Sequence, residues 1–135
     1  MVRQLKHVSG AILIAVLAMA AFVPVQAHHS HNAYEVTVWS ILEGTVREVH
    51  LMNPHSWIYL DVTGEDGRTT TWGLEAANPG AIFENGVKPE DIKAGDRVKI
   101  RFHVLRDGAN GGLLGFVTPL HGDAGRGHGV ELEWD

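Results

Sequence analysis

Val98-Lys99-Ile100-Arg101-Phe102-His103-Val104, residues 98–104, alternates without a break between apolar and polar side chains. Successive side chains of an extended chain point to opposite faces, so Val98, Ile100, Phe102 and Val104 share one face while Lys99, Arg101 and His103 share the other. A strand of this kind is the wall of a small β structure, with its apolar side on a core. Residues 55–62 repeat the pattern, with Ile58, Leu60 and Val62 on one face and Trp57, Tyr59 and Asp61 on the other. Upstream, residues 36–52 favour strand through Val, Thr, Trp and Ile, and Gly44 falls where a bend or bulge would sit. Asn53-Pro54 interrupts the run, so residues 36–62 read as a hairpin. Gly64-Glu65-Asp66-Gly67 is a turn cluster, and residues 68–75 give a third strand.

At Asn78-Pro79 the chemistry changes. Asn is a preferred N-cap, Pro suits the first helical position, and Gly86 stands where a C′ glycine ends a short helix, whose buried face would be Ala81, Ile82 and Phe83. Residues 88–96 connect to the strand at 98–104, residues 107–112 form a loop, and residues 113–120 a fifth strand. Three meandering strands, a short helix and two further strands is the order of a five-stranded OB-like barrel, with an open sandwich as the alternative. The expected fold class is all-β with one short helix, the barrel occupying residues 36–120. Residues 121–135 form a Gly-rich tail in which 121–128 lack an apolar face and should be mobile, while 130–134 could add a short edge strand.

Residues 1–27 read as a signal peptide. Arg3 and Lys6 supply a charged start, residues 11–23 an apolar stretch shorter than the about 20 residues a membrane span needs, and Val25-Gln26-Ala27 a small-residue cleavage site. Cleavage leaves residues 28–135, one domain's worth of chain, opening on a polar His-rich leader at 28–35. The expected location is a bacterial periplasm, or the medium beyond it, with no stable membrane anchor. Taking Arg3 and Lys6 from the 11 basic residues leaves nine against 16 acidic ones, a net charge of −7 with His neutral. So acidic a domain lacks the basic face a nucleic acid demands. The chain contains no cysteine, so no disulfide supports it.

Three segments together, Ala27-His28-His29-Ser30, Asn53-Pro54-His55-Ser56-Trp57-Ile58 and Lys93-Ala94-Gly95-Asp96-Arg97-Val98, resemble a family of small exported bacterial proteins classed as a domain of unknown function. The Asn-Pro-His-x-Trp segment between two strands is the most specific of them. The resemblance implies export and a small β-barrel, and it implies no reaction. The His- and Gly-rich tail departs from the short ending such proteins would have.

Two constellations carry chemistry. A cut after Ala27 would gather a free α-amine and the imidazoles of His28, His29 and His31, a nitrogen-rich set suited to Cu(II) or Ni(II); a cut one residue earlier would give an Ala-His-His chelate. The plainer reading is a disordered leader that aids processing. The second set is the hairpin face. A two-residue connection at Asn53-Pro54 would pair Met52 with His55 and His50 with Trp57, putting imidazole, thioether and an aromatic face on one side, the ligands Cu(I) favours. Some periplasmic copper chaperones with an OB-like barrel use His, Met and Trp, and this grouping is similar in type with one Met. Against this stands a structural role, in which Trp57 covers the barrel wall, His55 bonds the turn and Met52 fills a gap. Trp57 and Tyr59 also make a ligand or partner face. His103, beside Lys99 and Arg101, reads as a solvated residue, and His121 and His128 as weak metal capture at most.

A nucleophilic cysteine, Gly-x-Ser-x-Gly, His-Glu-x-x-His and a phosphate-cradling loop are all missing from the sequence. Glu43, Glu48, Asp61 and Glu75 are carboxylates of strand faces, ordinarily solvated, so no catalytic residue is assigned. An exported small-ligand or metal-binding module, with copper as the metal, is the leading reading. An envelope interaction or structural module without a metal role is the alternative, and an N-terminal His copper site doing monooxygenase-like chemistry is a distant third.

Overall fold

β1 (Ser40–His50), β2 (Ser56–Thr63) and β3 (Thr69–Ala76) form an antiparallel meander, α1 (Pro79–Glu84) follows, and β4 (Arg97–Val104) and β5 (Gly111–Pro119) complete the barrel. β4 returns to pair antiparallel with the first half of β1 and with β5, and β5 pairs parallel with β3 through Gly73↔Gly111 to Glu75↔Leu113. The result is a closed five-stranded mixed barrel with one short helix, the OB-like arrangement implied by the strand order. A sixth strand, β6 (Leu132–Glu133), lies against β5. This computed structural model describes residues 31–135; the expected signal peptide at 1–27, His28, His29 and the side chain of His31 lie outside the described residues.

The alternation seen in the sequence becomes the barrel wall. Ile58, Leu60, Val98, Ile100 and Phe102 are buried in one cluster with Val46, Leu74, Ile82 and Leu114, and Val62 and Val104 pack against it half-buried. Phe102 meets Trp72 edge-on, ring centroids 5.8 Å apart. Asn78 caps α1 through its side-chain oxygen, which accepts from the Ala81 amide at 3.1 Å, and Gly86, at φ +89°, ends it as the C′ residue while Val87 N–H returns to Ile82 O. So short a helix reaches the core with one side chain: Ile82 is fully buried, whereas Phe83, expected beside it, is exposed.

The bend of the first strand sits elsewhere than at Gly44. The β1–β2 register shifts between Val46 and Glu48, making Arg47 the extra residue of a bulge. Before the bulge Leu42 and Val46 face inward; after it Val49 and Leu51 do, and Glu48 and His50 turn outward. Gly44 is required for proximity instead, since a Cβ there would lie 2.9 Å from the Asp61 carbonyl oxygen.

The tail expected to be mobile is folded onto the barrel. Asp123 caps a 3₁₀ turn at Ala124–Arg126, Arg126 pairs with Asp96 and bonds the carbonyls of Glu90 and Asp91, and Gly129 N–H reaches Pro119 O at 2.8 Å. Trp134 then enters the core, its amide bonded to Gly115 O and its carbonyl to Ala77 N–H. Glycines without an apolar face concealed this because the tail is held by charge and backbone bonds, with its one large apolar anchor at the end. The leader is likewise docked at its far end: Ala33 O accepts from Arg106 N–H, and Tyr34 bridges Leu105. His103, expected in solvent, is 8% exposed because Trp39 covers it, rings 3.9 Å apart, while its Nδ1 lies 2.8 Å from Val38 O. Among the described residues no helix is long and apolar enough to cross a membrane.

Candidate functional site

The outer face of β1, β2 and β3 gathers three of the residues the sequence singled out, His50, Trp57 and Tyr59. His50 on β1 is in register with Trp57 on β2, and Trp57 with Glu75 on β3; the next row is Glu48, Tyr59 and Gly73. Residues in direct register project to the same side, so the bulge at Arg47 is what delivers His50 and Glu48 to this face and away from the core. Trp57 and Tyr59 stack with planes 16° apart and centroids separated by 6.2 Å. They cover Gly73, where a Cβ would lie 3.4 Å from the Tyr59 ring, in van der Waals contact with it. His50 closes the row, edge-on to Tyr59 at 5.5 Å, with its Nε2 donating to Glu48 Oε2 at 2.8 Å.

The expected two-residue hairpin is not formed. Pairing ends at His50↔Trp57, and residues 51–55 make the connection, with the Asn53–Pro54 bond cis. The pairing of His50 with Trp57 is as the sequence implied, while Met52 and His55 leave the ladder: Pro54 cannot take the positive φ that the second central residue of a type I′ hairpin turn needs. Met52 is 50% exposed in this loop. His55 turns toward β3, where its Nδ1 lies 3.4 Å from Glu75 Oε1.

Glu75 is the junction that sequence reasoning passed over as a solvated carboxylate. Its second oxygen accepts from the Tyr34 hydroxyl, which ties the end of the leader to the sheet. Burial, then the hydrogen bond to Glu75, then the carboxylate's charge hold the Tyr34 hydroxyl far above the usual phenol range, so it stays a donor at any physiological pH. The available signal was the period: Glu75 stands outward on its strand opposite Trp57. Tyr34 gave none, since nothing local places it beside residue 75.

Two arrangements follow: a stacked aromatic platform flanked by His50 and Glu48, and a Tyr34–Glu75–His55 chain holding the leader next to it. No group of three or more His, Asp or Glu among the described residues is placed to hold a metal ion. His121 and His128 lie in the docked tail, centroids 6.3 Å apart, with Nδ1 of each accepting a backbone N–H, from Asp123 and Gly122 respectively.

The model of a family of unknown function, DUF6152, matches residues 14–115. No curated protein and no solved structure matches the chain.

Proposed function

The chain belongs to that family of unknown function, so the reading has to come from its own residues, and we propose that it is an exported, periplasmic, non-enzymatic module that binds a small cationic ligand, with copper the metal it suits best. The observation that carries this is the shared register of His50 and Trp57 beside the stacked Tyr59, with Met52 in the adjoining loop. Imidazole, thioether and an indole face are soft donors, and aromatic faces attract cations by about 0.5–2 kcal/mol. Glu48 and Glu75 add negative charge at the rim. OB-type barrels commonly bind on the strand 2–3 face, and the acidity of this chain turns that face away from nucleic acid.

The leader adds to the same reading. Tyr34 is bonded to Glu75, which contacts His55, and in sequence it follows His28, His29 and His31. The α-amine and these imidazoles would supply the nitrogen ligands of a Cu(II) form, and His50, Met52 and Trp57 the softer set for Cu(I).

Native mass spectrometry of the purified protein, with and without a chelator, tests the reading and reports the true amino terminus in the same spectrum. Anaerobic Cu(I) addition should add one metal mass and quench fluorescence that Trp57→Phe removes, and Met52→Leu should weaken the response while conserving volume. No metal mass and no quenching would refute copper. A second reading has its own support: Trp57 and Tyr59, half-buried and stacked on the barrel wall, also fit the aromatic anchor of an envelope protein's interface, which would bind identically with the chelator present.

A further inference from the structure

The other side of the barrel, the outer face of β1, β4 and β5, carries an unexplained apolar surface. Val36, Val38, Trp39 and Ile41 are all exposed, Ile41 to 66%, and Val130 stands next to Glu131 at the border. Four exposed apolar residues within six positions of a small domain mark an interaction surface. Trp39 is fixed in place: its ring lies over His103 and against Gly115, where a Cβ would come within 2.6 Å of it, and the Arg101 guanidinium sits 4.1 Å over Phe116 and 5.2 Å from Trp39. An indole held rigid by packing loses little entropy when a partner covers it. A shallow cavity of about 70 Å³ opens beside Ile41, between Lys99, Arg101, Thr118 and Glu131. The backbone is available too. Over residues 40–43, β1 is bonded to β4 on one side and pairs with no described strand on the other.

Charge identifies the partner. Residues 31–135 hold nine basic and 16 acidic side chains. Four basic residues, Arg97, Lys99, Arg101 and Arg106, surround this surface together with four acids, Glu35, Glu43, Glu131 and Glu133. The face is therefore neutral, and the remaining five basic and 12 acidic residues place the whole net charge of −7 elsewhere. Two copies meeting through this face bring no net charge together. Arg97–Glu43, Arg101–Glu131 and Arg106–Glu35 are exposed ion pairs within one chain, and such pairs can exchange partners across a two-fold axis, where each surface meets itself. We propose that this face is a self-association surface and that its occupant is a second copy of this chain, with Val38, Trp39 and Ile41 at the centre and the Arg–Glu pairs at the rim. This proposal concerns the face opposite in role to the ligand platform and stands apart from that reading.

Sedimentation velocity on the purified chain from about 1 μM to about 500 μM, the span over which modest interfaces assemble, provides the test. A concentration-dependent dimer is expected, and Ile41→Lys and Val38→Lys should each raise its midpoint at least about tenfold, the effect of losing one central apolar contact. Both residues are largely exposed, so the variants should melt like the parent, and Trp57→Ala on the ligand platform should leave the dimer unchanged. A single monomeric species throughout the range overturns the proposal. So does a dimer indifferent to both lysine variants, or binding to anionic phospholipid vesicles through Trp39 at concentrations where the chain is monomeric.

Discussion

Replacing Trp134 by alanine and by phenylalanine separates two opposing contributions of one side chain. The indole is 2% exposed and packed in the core cluster, while its N–H has no hydrogen-bond partner among protein atoms. Alanine removes the whole ring and leaves a cavity, which for a buried Trp costs about 3–5 kcal/mol. For a domain of this length that is a fall of about 12–20 °C in Tm. Phenylalanine gives up only about 40 Å² of apolar burial, worth roughly 1 kcal/mol, together with a small void costing about as much. In exchange it removes an unsatisfied buried N–H, which costs about 1–3 kcal/mol. The two terms nearly cancel, so Trp134→Phe should fall within about 1 kcal/mol of the parent or above it. Urea denaturation followed by far-ultraviolet circular dichroism measures both, with m held equal so that the midpoint reports stability alone. An alanine variant within about 1 kcal/mol of the parent would show that the tail contributes nothing to the core. A phenylalanine variant as unstable as alanine would refute the desolvation argument and assign the whole effect to shape.

Phe102→Ala should cost about 3–5 kcal/mol through its cavity and the lost edge contact with Trp72; a melt within a few degrees of the parent would contradict its place in the core. Asp96 has a lowered pKa: burial opposes the charge, but hydrogen bonds from Arg126 and the Lys93 amide outweigh it. The sign follows from linkage, since a depressed carboxyl stabilises the fold above its unfolded value of 3.8 and loses that contribution as the pH drops through the lower folded value. Asp96→Asn should therefore destabilise at pH 7, and the gap between variant and parent should close on acidification into and below the aspartate range, read as urea midpoints. Tyr34→Phe should cost about 1–3 kcal/mol for a bond to a carboxylate, and because the Tyr34 pKa is raised, the parent's advantage should persist at neutral pH and fade only above pH 10, the usual phenol value.

What the sequence disclosed of the fold is what period and caps encode. Residues 98–104 and 55–62 alternate on a two-residue period, so their inward sets are legible without tertiary information, and the Asn78-Pro79 start of α1 is a local hydrogen bond written in adjacent residues. The failures involve long-range partners. His103 fits the polar face of its strand, and only the arrival of Trp39, a residue 64 positions earlier, buries it. The tail's anchor, Arg126 on Asp96, is an ion pair between segments that share no pattern. A bulge at Arg47 is equally silent, because any residue can be the extra one.

The bulge also explains why the candidate site was half visible. Counted from Val46, Glu48 and His50 belong to the inward set of β1; counted from the hairpin, His50 is outward with Trp57. Only the second count survives, because pairing with β2 fixes that end of the strand and the extra residue absorbs the conflict. His50, Trp57 and Tyr59 could thus be grouped from spacing alone, whereas Tyr34, His55 and Glu75 meet from a leader, a loop and a strand. That second group bears on the first: with Tyr34 bonded to Glu75, and Glu75 in register with Trp57, the leader's attachment and the aromatic platform share one sheet row. A ligand that displaces the Tyr34 hydroxyl from Glu75 must release the leader from that row, and one that binds Trp57 and His50 without disturbing Glu75 leaves it attached.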